Sequence, residues 1–314
     1  MKNKIICFSL TLVLSACCLC FVGACDENKQ FSENLVYKLS IDGSSYAVAG
    51  LGECKDKIIK IPSTYNDLPV TEISQYAFMS TYSGSPVENI QRVEIPDSVV
   101  KIGGYAFAGC KGLKSINMPA RVTDFGESVF TNCFELENIE LPTGITEIPI
   151  STFSFCMELE SISVPSGVTK IGEGAFMGCS ELESVQLPMG LKTIDLNAFF
   201  NCENLKSIVF PNTLISIGAC AFMYCTSISQ IALPNKITSI STQTFAFCEE
   251  LQTITIPVSV IRIESSVFHG CQNLTTVNFS GTVQEWQGID FGFSIWTDTP
   301  MIEIICTDGM GEKI

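Results

Sequence analysis

Charge of either sign is scarce in this chain, and positive charge is scarcest. Of 314 residues only 16% are charged, with 18 Lys and Arg against 33 Asp and Glu and a formal net charge of -15. A phosphate backbone would repel so acidic a chain, which argues against nucleic acid as a partner. With hydrophobic residues at 46%, the same composition excludes disorder. Histidine occurs once, at His269, and catalysis by a base needs an orienting partner that its neighbours do not supply. No Gly-x-Ser-x-Gly, phosphate loop or Gly-x-Gly-x-x-Gly is present, nor an Asp-x-Asp-x-Asp-Gly calcium loop. The one Cys-x-x-Cys, Cys17 with Cys20, lies in the apolar amino-terminal run, so the body lacks clustered zinc ligands. No later apolar run reaches the roughly 18 residues that span a bilayer. These absences point away from an enzyme and imply no cofactor and no metal.

The amino terminus reads as an address. Lys2 and Lys4 precede an uncharged run from Ile5 to Ala24, the order of a secretory signal. Phe21-Val22-Gly23-Ala24-Cys25 then resembles a bacterial lipobox, with Asp26 and Glu27 opening a polar stretch. The resemblance implies that the Cys25 thiol receives a diacylglyceryl group and becomes the mature amino terminus. Leu14-Ser15-Ala16-Cys17 also fits, but cleavage there would leave Cys18 to Ala24 as an apolar start. An uncleaved anchor is the alternative, and it places the body on the same, outer side.

What is abundant is periodic. Proline falls at Pro96, Pro119, Pro142, Pro165, Pro188, Pro211, Pro234 and Pro257, each step 23 residues. Phenylalanine follows eleven residues later, from Phe107 to Phe268, and cysteine three beyond that, from Cys110 to Cys271. After three more comes an aliphatic residue, from Leu113 to Leu274. Such self-similarity is the signature of a solenoid, in which each repeat buries its apolar face only against its neighbours. Leu182-x-x-Val185-x-Leu187 is a leucine-rich-repeat strand, alternating with Ser184 and Gln186 so that one face is buried. Val168, Ile171, Ala175 and Phe176 complete the inward set.

This pattern resembles the BspA-type leucine-rich repeats, whose bacterial and protist members are mostly cell-surface proteins. The match is strict from Pro96 to Phe279 and looser over Ile61-Pro62 to Ala77-Phe78. It implies a right-handed leucine-rich-repeat horseshoe, with short parallel strands on the concave face and mostly irregular or short helical turns on the convex face. The expected division is a signal peptide at 1–24, a lipidated linker at 25–34 and an N-terminal β-hairpin cap at 35–61. One divergent and eight strict repeats then fill 62–279, and a partial repeat and cap occupy 280–314. Phe291 lies 23 residues after Phe268 and is expected to continue the phase of the phenylalanine column.

The repeat cysteines recur in register, as small buried side chains do, and are expected to be packed thiols rather than disulfides. The rows Glu135, Glu158, Glu181 and Glu137, Glu160, Glu183 each occupy one repeat position, which makes solvated charge rows and not a converging acid–base pair. Nine rungs at about 4.8 Å make a platform of roughly 40 Å. Two outward rows follow from alternation. The first contains Glu94, Asn117, Glu140, Ser163, Gln186, Thr255 and Asn278, the expected ligand-binding residues, with Val209 and Ala232 between them. The second runs from Ser115 to Thr276. Neither holds an aromatic or arginine hot spot. The expected function is non-enzymatic: adhesion or protein–protein interaction at the cell surface, with a host, matrix or neighbouring-cell protein as partner and the membrane held through the N-terminal lipid. The alternative is a surface lipoprotein that captures glycan, for which only Trp286 and Trp296 could supply stacking rings.

Overall fold

Each spacing of three in the repeat is a hydrogen-bonded turn, and these turns wrap the chain into coils. In the computed structural model, which describes residues 30–80 and 83–312, Val168 N–H donates to Pro165 O at 3.0 Å, Cys179 to Phe176 O at 3.2 Å and Leu182 to Cys179 O at 3.2 Å. Proline suits the first of these, since it lacks the donor that would prolong the preceding strand. The proposed signal segment and Cys25 lie outside the described residues.

Two parallel ladders run along the stack. The first is built from the expected strands and comes in three lengths. Ile58–Lys60, Arg92–Glu94 and Ser115–Asn117 pair in register, as do Ser161–Ser163 and Ser184–Gln186. The last length links Gln230–Ala232, Thr253–Ile256, Thr276–Phe279 and Glu303–Cys306. The second ladder, of mostly two-residue strands, occupies a run of the coil where the sequence suggests irregular turns. Lys170–Ile171, for example, lies between Glu147–Ile148 and Thr193–Ile194. Two residues are too few to show alternation, so this ladder is invisible to periodicity. Helix among the described residues is confined to the 3-10 turn Pro86–Asn89 and the α-helix Val283–Gln287.

The core is a stack of identical layers. Val168, Ile171, Ala175, Phe176, Cys179, Leu182 and Val185 are all buried, as are their equivalents along the array. The phenylalanine rings form one offset-stacked column from Phe78 to Phe268, with neighbouring centroids between 5.1 and 6.1 Å apart. Phe291 does not continue it. Helix Val283–Gln287 lengthens the last coil by five residues, so Phe291 pairs with Ile263 in the second ladder and Trp296 stacks on Phe268 at 5.2 Å instead.

The ends are closed differently. At the start, Val36–Leu39 pairs antiparallel with Tyr46–Gly50, which joins the second ladder through Leu68–Ile73. At the finish, Gly309–Gly311 pairs antiparallel with Glu303–Cys306 and closes the first ladder. Trp286, fully buried there, donates its indole N–H to Glu312 O at 2.9 Å.

Candidate functional site

Six of the seven sequence-selected residues lie in strands of the first ladder, which does not treat them alike. Glu94 stands opposite Asn117, Ser163 opposite Gln186, and Thr255 opposite Asn278. Glu140 is in no strand and stands alone between lengths of ladder. Asn117 is occupied. Its side chain accepts from Ile95 N–H at 2.7 Å and donates to Ile95 O at 2.9 Å, clamping one coil to the next. Glu94 lies 3.5 Å from Arg92. Ser163 donates to Gln186 Oε1 at 3.0 Å.

Sequence reasoning missed both breaks in this ladder, one at the coil of Glu140 and one at the coil of Val209. Beyond the single bridge of Ser184 to Ser207, the coil from Ser207 to Phe210 pairs with neither neighbour. In intact coils Val164 N–H reaches Gln186 O at 3.0 Å and Leu233 N–H reaches Thr255 O at 3.0 Å. The N–H groups of Leu187, Ile208, Val209 and Phe210 have no such backbone partner. Phe210 turns inward, edge-on to Phe222 at 5.6 Å, a bulk that no other strict repeat seats before its proline. A hollow of about 700 Å³ opens beside this second break, lined by Ser163, Ser184, Gln186, Met189, Val209 and Asn212 among others. A second of about 300 Å³ flanks the same coil on its far side. No ionisable side chain lines either. Val209 and Met189 stand out into solvent beside them, at 82% and 75% exposure. Only the departure of Phe210 and Val209 from their columns hints at this in the sequence.

The cysteine column has a geometry of its own. Each repeat thiol donates to the carbonyl of the phenylalanine one coil back, at 3.1–3.3 Å from Cys110 on Phe78 to Cys271 on Phe245. Desolvation by burial pushes all eight thiols well above their ordinary range, Cys179 and Cys271 up to about 12. A thiol held neutral is a poor nucleophile and a poor metal ligand. The described cysteines are free. Cys220 stands apart, half-buried at a left-handed turn position with φ +54°.

The acidic rows are exposed, and flanking lysines bracket them: Lys114 lies 3.7 Å from Glu135 and 3.5 Å from Glu137, and Lys206 lies 2.7 Å from Glu183. His269 is half-buried, edge-on to Phe247 at 4.9 Å, with Nε2 4.0 Å from Asp298. Among the described residues no three or more His, Cys, Asp and Glu gather as a metal site would require. Of the two tryptophans, Trp286 is buried, and Trp296 is half-buried with one face flat on Phe268.

These features define a class: a leucine-rich-repeat solenoid, stacked coil on coil, with little helix. Residues 71–206 and 169–294 match the BspA type leucine rich repeat region, and the chain belongs to that family of protein-interaction repeats. It is similar to a leucine-rich repeat protein from Bacteroides ovatus at 26% identity, covering 87% of this chain and 77% of that one, with a TM-score of 0.61. A leucine rich cell surface protein from Faecalibacterium prausnitzii is 23% identical over 84% of this chain and 98% of its own, with a TM-score of 0.47. Among curated proteins none matches.

Proposed function

We propose that this chain is an exported, lipid-tethered and non-enzymatic scaffold that binds a protein ligand with its first-ladder face. The ligand sits on another surface: a host or matrix protein, or a neighbouring cell. The observation that carries this reading is the uncharged hollow at the second ladder break, where unpaired backbone groups meet the exposed Val209 and Met189. Ligand sites are concave, largely apolar and furnished with a few polar groups. The rest of that face offers small polar side chains that exclude water without dominating affinity. Ser163 and Gln186 line the hollow, which makes them the strongest members of the row. Glu140, Thr255 and Asn278 would contribute at its margins, and Asn117 serves the coil junction. The tether is assigned to Cys25.

The test is a binding screen of the chain against matrix proteins, followed by Val209→Asp. A charge there enters a neutral hollow, and a ligand that docks in it should lose at least roughly ten-fold in affinity, about 1.4 kcal/mol. A ligand bound equally well by parent and variant would move the site elsewhere. Labelling with a fatty-acid analogue should be abolished by Cys25→Ala, and persistent labelling would assign the lipid to another residue.

A further inference from the structure

The most exposed large hydrophobic side chain in the described chain is Ile41, fully open to solvent at the tip of the N-terminal hairpin. Its position is not accidental slack. Ser40 Oγ donates to Asp42 Oδ1 at 2.6 Å, Ser44 N–H donates to the same oxygen at 3.1 Å, and Ser44 Oγ donates to both carboxylate oxygens at 2.8 Å. Main-chain bonds from Ser40 to Ser45 O at 2.9 Å and from Gly43 to Ser40 O at 3.0 Å close the turn beneath. The turn therefore holds an isoleucine outward on a rigid base. Phe31, Val36 and Leu39 on the same cap are each more than two-fifths exposed. Val36–Leu39 is the edge of the second ladder, so this is the outermost layer of the solenoid.

Charge sets this end apart as well. Residues 30–61 hold Lys38, Lys55, Lys57 and Lys60 against Glu33, Asp42, Glu53 and Asp56, a net charge of zero in a chain of -15. An anionic surface repels the body and not the cap. The chain also enters the fold here: Ser32 N–H donates to Lys60 O at 2.9 Å, and Lys60 N–H donates to Ser32 Oγ at 3.1 Å. Five residues separate Cys25 from Phe31, six Cα-to-Cα steps that reach at most about 22 Å when fully extended.

We infer that the N-terminal cap is a lipid-docking surface, with Ile41, Leu39, Val36 and Phe31 seated in the interfacial layer of the bilayer that holds the acylated Cys25. This rests on the tether reading above. A tether this short keeps the cap at the interface, where exposed apolar side chains gain by burial in the acyl boundary. Docked by its end layer, the solenoid presents both ladders away from the lipid.

The experiment uses the full chain, produced in a bacterium that acylates exported cysteines and carrying Ile41→Trp. It is reconstituted into phosphatidylcholine–phosphatidylglycerol vesicles with or without brominated acyl chains. Trp286 and Trp296 sit in the opposite cap and serve as the control in the parent chain. The introduced indole should shift to the blue in vesicles, and bromine should reduce its emission roughly two-fold, as expected of a ring a few ångströms below the headgroups. Parent emission should stay unquenched. An acylated, vesicle-bound chain whose introduced indole is unquenched, or whose native tryptophans are quenched equally, overturns the docked cap and leaves the tether standing. A purified chain with no acyl mass overturns both.

Discussion

At the scale of the residue, the recurring cysteine is explained by the main-chain carbonyl that it faces. The phenylalanine carbonyl accepts the N–H of the cysteine three residues on and also the S–H from the next coil. A small side chain with a donor is thus needed where everything else is apolar, and a thiol provides it at little desolvation cost. The sequence shows the spacing but not this bond, because nothing in periodicity reports which carbonyl lies opposite. A pH dependence follows. Burial raises these thiols in the fold, so below about pH 8.5 both folded and unfolded chains keep the proton. Above that the unfolded chain releases it first, and stability falls as pH climbs towards the folded value of about 12 at Cys179 and Cys271. Each thiol should contribute a loss of roughly one kcal/mol per pH unit. Urea midpoints that stay level between pH 8 and pH 10 would contradict the buried column. Alkylation of the unfolded, unreduced protein should find the repeat thiols free, and mapped bridges between coils would refute that.

The packing of the phenylalanine ring is tested separately, since the carbonyl that accepts the thiol belongs to the main chain. Phe176 is fully buried between Phe153 and Phe199, with centroids at 5.4 and 5.1 Å. Phe176→Ala should cost about 3–5 kcal/mol, seen as a large drop in melting temperature. Glu183→Ala removes an exposed carboxylate whose partner is the surface Lys206, and should change stability by less than about 1 kcal/mol. Equal melting of both variants would remove the inward assignment.

At the scale of the element, the strict repeats were legible and the irregular joints were not. Eight in-register prolines and phenylalanines fix coil length, and the strand alternation identifies the first ladder. The last coil defeats the same reasoning. Gly281-Thr282 opens a capped helix in which Thr282 accepts from Glu285 N–H at 3.2 Å and Glu285 accepts from Thr282 N–H at 2.8 Å. That insertion moves the ring position from Phe291 to Trp296, and a fixed period cannot foresee it. Nor could alternation reveal where the ladder breaks, because the coil from Ser207 to Phe210 keeps the spacing of its paired neighbours. Because Trp296 is the end plate of the column, Trp296→Ala should speed hydrogen exchange at Phe268 and Cys271 while leaving Cys110 unchanged. Uniform change along the array would argue against local closure by this ring.

At the scale of the whole molecule, the leucine-rich-repeat solenoid was readable because it is one unit repeated, while the candidate site was readable only as a face. Glu94, Asn117 and Glu140 look equivalent in sequence to Ser163 and Gln186, yet only the last pair borders the hollow. The distinction lies in how one coil departs from its neighbours, and a consensus averages that away.

Each junction between strict repeats stacks ring on ring and sets thiol on carbonyl. Heredity can therefore edit this molecule by the copy. Unequal exchange between two repeats in a gene adds or removes a whole coil in frame, and the new junction is of the kind already present. A chain lacking residues 164–186, one period of 23, should bring Phe153 against Phe199 and still melt in a single transition. Loss of a cooperative melt would show that coils are not interchangeable. Array length then changes by whole coils, and the first-ladder face lengthens or shortens in proportion.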